Sequence, residues 1–244
     1  SLFLVGGILI FVMGGLTGVM VGMVAFDGQA HDTYFVVAHF HYVLIGSMVF
    51  PLFAGFYYWT PMINGRQLSE RVGRWVFWLN FVGVHVCFLP MHLSGLMGMP
   101  RRVDTYLPGR ALEVPNLIST VGAFIMAAGV LLFLIDAIRC YGRPGDDEGK
   151  ARNVYNGGTL EWLSSGNYGL RSIPVVNDLE PLWADVRLRE HVEAGRYFLP
   201  GSATGARETL ITSSSRAEPQ YVQIMPGPSW WPLLAARNTS TAST

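Results

Sequence analysis

The chain is short of charge and almost without lysine. Charged residues make up 14% of its 244 positions, against about a quarter in soluble domains, and this excludes an ordinary soluble globular fold for most of its length. Of the 17 basic residues all but Lys150 are arginine. They form no run long enough for a polybasic patch, and the net charge is zero, so nothing points to nucleic acid. Cysteine is scarce as well. Cys87 lies within one apolar stretch and Cys140 at the end of another, which excludes a disulfide framework and a CxxC metal site while saying little about compartment. There is no charged leader and no small-residue cleavage site before the first apolar run, which begins directly after Ser1. The expectation is a piece of a longer protein.

What is present is apolar length. Half of the residues are hydrophobic, and four stretches reach the ~20 residues that a helix needs to cross the hydrocarbon core. They run roughly over 2–26, 34–62, 72–99 and 115–140. Each contains glycine, such as Gly14, Gly15 and Gly18 in the first and Gly122 and Gly129 in the last, as expected where helices pack closely in lipid. Pro51 and Pro90 fall inside spans, where a missing backbone bond needs help from a neighbour. A larger bundle is therefore expected.

Beyond Cys140 the chain turns polar. The stretch 141–153 is rich in turn residues, and 201–219 (GSATGARETLITSSSRAEP) reads as a flexible linker or exposed loop. Trp230 and Trp231 are of the kind that sit at a membrane interface. Basic residues give an orientation: Arg66 and Arg71 lie between the second and third spans with Arg74 just beyond, and Arg139, Arg143, Lys150 and Arg152 at and after the fourth. Residues 27–33 carry none. The positive-inside rule then places the 63–71 loop and the tail in the cytoplasm, with 27–33 and 100–114 outside. Arg101, Arg102 and Arg110 break that pattern.

Two imidazoles, His39 and His41, stand in the second span. Successive helical residues are ~100° apart, so these two point ~200° apart and cannot share one metal. As ligands they would serve two centres flanking one helix, with Phe40 between them, and neutral imidazole suits iron, copper and zinc. The alternative is that each simply hydrogen-bonds a neighbouring helix. With a helix start near Tyr34, both sit within ~11 Å of the outer edge. His31 and Asp32 just before the helix are either part of a metal or water site needing further donors, or a cap, with Asp32 or Thr33 at the N-terminus. His85 and His92, seven apart, share one face and read as packing or a polar seam, with a supporting role open for His92. The adjacent guanidiniums of Arg101 and Arg102 call for an anion, either a carboxylate-bearing cofactor or lipid headgroups.

Taken together, GGLTG (14–18), HDTYFVVAHFHYVL (31–44) and GMPRR (98–102) closely resemble the C-terminal third of subunit I of the haem–copper oxidases over about residues 1–140. The resemblance implies an all-α membrane protein: four transmembrane helices of a larger, twelve-helix-type bundle, with a mostly irregular polar tail over 141–244. It implies that His39 is the proximal ligand of a high-spin, a3-type haem at the catalytic oxygen site and His41 an axial ligand of a low-spin haem a. Phe40 would lie between the haems, Arg101 and Arg102 would contact propionates with His92 near them, and His31 and Asp32 would bind magnesium shared with subunit II. Tyr34 belongs to the same loop motif.

The same resemblance implies a proton-pumping terminal oxidase passing electrons to oxygen. HDTY and HFHYVL look like the cytochrome c-oxidising branch; a quinol oxidase is the nearest alternative, and a non-redox membrane metal- or lipid-binding module the more distant one. TLEWLSSG, IPVV and EPLW are similar to the cytoplasmic extension of bacterial subunits I, and EPQYVQIMPGPSWWPLLAA resembles a junction with subunit III, so a multi-pass protein of the bacterial plasma membrane is expected. Its implied partners are the N-terminal remainder of subunit I, subunit II with copper A, subunit III, cytochrome c and lipid. The copper B ligands, the other low-spin ligand, the cross-linked tyrosine and the proton-channel carboxylates belong to the N-terminal remainder, so the fragment alone is expected to be inactive. His85 stands where the family usually has a smaller amide, and Phe35 where a second tyrosine is common.

Overall fold

The computed structural model describes residues 2–142, 153–163, 174, 176–197, 208–216, 218–225, 229 and 231. It divides into two compact units, 1–148 and 149–244. In the first, helices follow the order α1 (Leu2–Val21), α2 (Val24–Ala30), α3 (Tyr34–Leu44), α4 (Phe50–Asn64), α5 (Glu70–Leu96) and α6 (Glu113–Tyr141). A single π turn over Ile45–Val49 joins α3 to α4, making one continuous span over Tyr34–Asn64. Among the described residues four helices are thus long and apolar enough to cross a membrane.

The ends follow from local chemistry. Thr33 caps α3, its hydroxyl oxygen accepting the Phe35 N–H at 3.2 Å. Gly65, at φ 65°, closes α4 in the left-handed conformation that suits glycine. Ser69 caps α5 and donates its own N–H to the Asp136 carboxylate of α6 at 3.0 Å, which gives that acid in the fourth span a partner. The first span ends at Gly22 rather than near Phe26. Met23 is extended and starts the short α2; hydropathy runs on through this break, so composition alone does not reveal it. The π turn lies just before Pro51, whose ring would clash with the carbonyl four residues earlier in a regular α-helix.

Lipid offers little hydrophobic drive between helices, so close packing must hold them. α6 crosses α5 at Gly122 and Gly129: a Cβ at Gly122 would collide with the backbone of Val86 and Cys87, and one at Gly129 would lie 2.5 Å from the Asn80 amide. The span α3–α4 approaches α1 through Gly46, whose added Cβ would lie 2.8 Å from the Gly7 carbonyl. Between these contacts sits an aromatic core in which Phe3 meets Phe77 edge to face at 5.5 Å and Phe53 meets Phe133 at 4.9 Å. Gly122→Val is expected to push α5 and α6 apart and destabilise the helical unit by about 1–3 kcal/mol, the usual cost of overpacking; a fall in the thermal transition of the purified protein checks it.

The second unit holds a 3-10 turn over Leu160–Trp162, the short helices α7 (Pro181–Ala184) and α8 (Leu188–Glu193), and an antiparallel hairpin of β1 (Glu208–Thr212) with β2 (Pro219–Ile224). Leu163, Leu188 and Val192 form its small core, and Arg189 donates to the Trp162 carbonyl at 2.7 Å. The linker or loop expected over 201–219 is corrected for residues 208–212. Leu210 pairs with Val222 and Ile211 with Tyr221, a pairing that a segment read by itself does not display. Arg143, Lys150, Arg152 and Trp230, used above for orientation and membrane contact, lie outside the described residues, as do half of IPVV and all of PSWWPLLAA except Ser229 and Trp231.

Candidate functional site

His39 and His41 both lie in the regular part of α3, and they do face different helices. His39 turns to α1. Its Nδ1 is 2.9 Å from the Gly14 carbonyl and 3.1 Å from the Thr17 hydroxyl, which itself donates to Gly14 at 2.9 Å. A carbonyl only accepts, so Nδ1 carries the proton and donates, leaving the Nε2 lone pair available. Gly18 makes room for the ring, since a Cβ there would lie 2.8 Å from His39 Cε1. Gly14, Thr17 and Gly18 recur at helical spacing and so share one face of α1.

His41 turns to α5. Its Nδ1 donates to the Val37 carbonyl one turn back at 2.8 Å, which again frees Nε2. The ring stacks on Phe88 at 4.5 Å and 15°, with Phe40 on it at 4.3 Å. Phe40 itself is partly exposed. The two imidazoles therefore share one arrangement, with Nδ1 bonded to a carbonyl and Nε2 without a hydrogen bond among the described residues, as suits a histidine that ligates a metal.

At the start of α3 the chain folds back on the segment after α5. Tyr34 donates to the Met99 carbonyl at 3.0 Å, Arg101 to the Asp32 carbonyl at 2.8 Å, and Thr33 forms an isolated bridge with Pro100. The cap is Thr33, so Asp32 is left free for other work. Its backbone takes φ 58° and its carboxylate pairs with the Arg101 guanidinium. His31 Nε2 lies 3.8 Å from the same carboxylate, and its Nδ1 3.5 Å from Asp27. Arg101 thus has an anionic partner within the chain, while its Nε is buried without a hydrogen bond. Arg102 is exposed, at φ 64°. Among the described residues no three His, Cys, Asp or Glu side chains gather to hold a metal, so a cation at His31 and Asp32 needs donors from outside them. Because Asp32 is 59% exposed, Asp32→Asn is expected to change stability by less than about 1 kcal/mol, read from the thermal transition.

His92 donates from Nδ1 to the Phe88 carbonyl at 3.2 Å, and its Nε2 is buried without a partner. It lines a cavity of about 220 Å³ with Thr17, Phe35, Tyr42 and Leu89, between α1, α3 and α5. Phe35, buried, meets the His92 ring edge-on at 4.8 Å. The polar seam expected for His85 and His92 exists around one residue: Tyr42 bonds His85 Nδ1 at 2.9 Å and its ring lies 5.5 Å from His92. Sequence reasoning missed Thr17, Phe88 and the Tyr42–His85 bond. Only Thr17 had a legible signal, its helical spacing from Gly14.

Fold and site together define a multi-pass membrane protein that presents two imidazole nitrogens without a hydrogen bond among the described residues, on opposite flanks of one helix. The family described as Cytochrome C and Quinol oxidase polypeptide I matches residues 1–125. Cytochrome c oxidase subunit 1 of Bacillus subtilis is 51% identical over 178 residues, 72% of this chain and 28% of that protein. The corresponding subunit of Bacillus sp. (strain PS3) is 46% identical over 202 residues, 80% and 31%. Quinol oxidase subunit 1 of Bacillus subtilis is 44% identical over 170 residues, 68% and 26%. In fold, the chain is similar to a solved haem–copper terminal oxidase dimer, with TM-score 0.54 and 22% identity over 62% of this chain and 28% of that one.

The chain belongs to the subunit I family of the haem–copper oxidases. It spans less than a third of the length of these curated relatives.

Proposed function

We propose that the chain is the C-terminal portion of the catalytic subunit of a bacterial proton-pumping oxidase that takes electrons from cytochrome c. In this reading residues 1–140 are the haem-binding membrane part and 141–244 a cytoplasmic tail. The Asp32 end of the bundle faces outward across the plasma membrane. His39 holds the iron of the high-spin, a3-type haem at the oxygen-reducing centre, and His41 that of the low-spin haem a. When bound, the haems and copper B carry electrons, delivered from cytochrome c through copper A of subunit II, to oxygen, which is reduced to water as protons are pumped.

The residues of this chain do the holding and orienting. The Gly14 carbonyl and Thr17 hydroxyl aim His39 through Nδ1, and the Val37 carbonyl and Phe88 ring aim His41. Hydrogen bonds at Nδ1 also make the imidazole a stronger donor at Nε2. Phe40 would lie between the two haem sites, and Arg101, Arg102 and His92 would serve the haem carboxylates. His31 and Asp32 contribute two magnesium ligands, subunit II completing the set. The copper B ligands and the remaining low-spin haem ligand would come from the N-terminal remainder of subunit I, with subunit III and lipid completing the surroundings.

The observation that carries this reading is the pair of unclaimed Nε2 atoms on opposite flanks of α3. The test is the optical spectrum and oxygen uptake of the intact complex: a-type haem and turnover of reduced cytochrome c support it. Sequence upstream of Ser1 without a His-Pro-Glu-Val-Tyr segment and a His-His pair would sink it. A second reading, quinol oxidase, is favoured by the 44% identity to quinol oxidase subunit 1; b- and o-type haem with turnover of quinol would select it.

A further inference from the structure

We propose that His85 is a positioning residue for His41, acting through Tyr42. This rests on the reading of His41 as ligand of the low-spin iron. Tyr42 is 1% exposed and sits where three helices meet. A Cβ on Gly14 of α1 would lie 3.1 Å from its Cβ. On the other side its ring lies against His85 and His92 of α5, at 5.6 and 5.5 Å, and its hydroxyl shares the 2.9 Å hydrogen bond with His85 Nδ1. The His85 ring is in turn held edge-on by Phe81 at 4.7 Å and 80°.

The residue before Tyr42 is His41, stacked on Phe88. Phe88 follows His85 by three positions, so both project from one face of α5. That face therefore grips two consecutive residues of α3, one by a directional bond and one by ring contact. Stacked rings in lipid resist separation but little resists their sliding, because dispersion has no preferred direction. A hydrogen bond weakens steeply off line. An imidazole nitrogen lies ~6 Å from its helix axis, so a 10° turn of α3 would carry it ~1 Å, whereas metal bonds tolerate about 0.2 Å. On the flank facing α5 the stack alone leaves that motion open, and the Tyr42–His85 bond is the directional contact there that opposes it. The His39 bonds to Gly14 and Thr17 of α1 pin the opposite flank of α3, so the freedom released by losing the Tyr42–His85 bond is a local shift on the α5 side, felt at His41.

The experiment uses the full oxidase complex with Tyr42→Phe and His85→Phe, which keep the rings, their double variant, and His85→Gln, which keeps a hydrogen-bonding group. The readouts are the electron paramagnetic resonance g-values and visible band of the low-spin haem, with the carbon monoxide difference spectrum for the high-spin haem. Each Phe variant is expected to shift the low-spin signals and leave the carbon monoxide spectrum unchanged. The double variant shifts them no further than either single one, and His85→Gln restores most of the parental signal. Silent single variants, additive shifts, equal disturbance of both haems, or loss of both haems in Tyr42→Phe would each overturn the proposal. The underlying ligand assignment fails differently: a His41→Ala complex that keeps its low-spin haem would sink it whatever the His85 variants do.

Discussion

In the full-length oxidase His39→Ala is expected to remove the high-spin haem signal and leave the low-spin one, and His41→Ala to do the reverse. The two rings are neighbours but one in sequence, yet they leave α3 ~200° apart, one against α1 and the other against α5. Neither can substitute for the other without turning the helix. Under the proposed function either change should abolish oxygen reduction, because the ligand assigned to the oxygen site and the one assigned to the electron-delivering haem would be needed in series. Optical and carbon monoxide difference spectra separate the outcomes. Identical losses from both variants would count against two separate haems.

Gly18→Val should mimic His39→Ala although Gly18 binds nothing. An added Cβ there would lie 2.8 Å from His39 Cε1, while unstrained carbon contacts begin near ~3.5 Å. The imidazole must give by ~0.7 Å, more than three times the ~0.2 Å that a metal bond tolerates. High-spin haem is therefore expected to be lost with low-spin haem retained. Thr17→Val gives the graded counterpart. It keeps the shape and removes the hydroxyl 3.1 Å from His39 Nδ1, a change of the kind that costs about 10–100-fold in metal affinity. The Gly14 carbonyl still holds Nδ1, which favours the lower end of that range. Haem content per protein, by pyridine haemochrome and carbon monoxide binding, checks both; full retention in Gly18→Val would refute the cradle.

Much of this was legible before any coordinates. The four spans follow from apolar length. The opposition of His39 and His41 follows from helical pitch, since nothing between them breaks the α-helix; the π turn comes after, at Ile45. Gly122 and Gly129 announced a close crossing and form one. Other features were ambiguous because two chemistries suit the same residue. Asp32 and Thr33 are both good caps, and only the coordinates show that Thr33 caps while Asp32 meets Arg101. The break at Gly22 and the hairpin around Ser213–Arg216 escaped for a different reason: the first lies in unbroken apolar sequence, and the second depends on pairing between segments.

Sequence by itself determined what depends on local periodicity and composition: a membrane-embedded helical chain, an imidazole pair that must face two ways, and an arginine pair in need of an anion. Tertiary structure decided which neighbours those groups meet. Gly14 and Thr17 behind His39, Phe88 behind His41, His85 on Tyr42 and Asp32 on Arg101 come from segments distant in the chain. Helix pitch dictates the direction in which a side chain leaves its own helix, but the depth and rotation at which two helices pack are set by contacts along both, and no single segment carries that information.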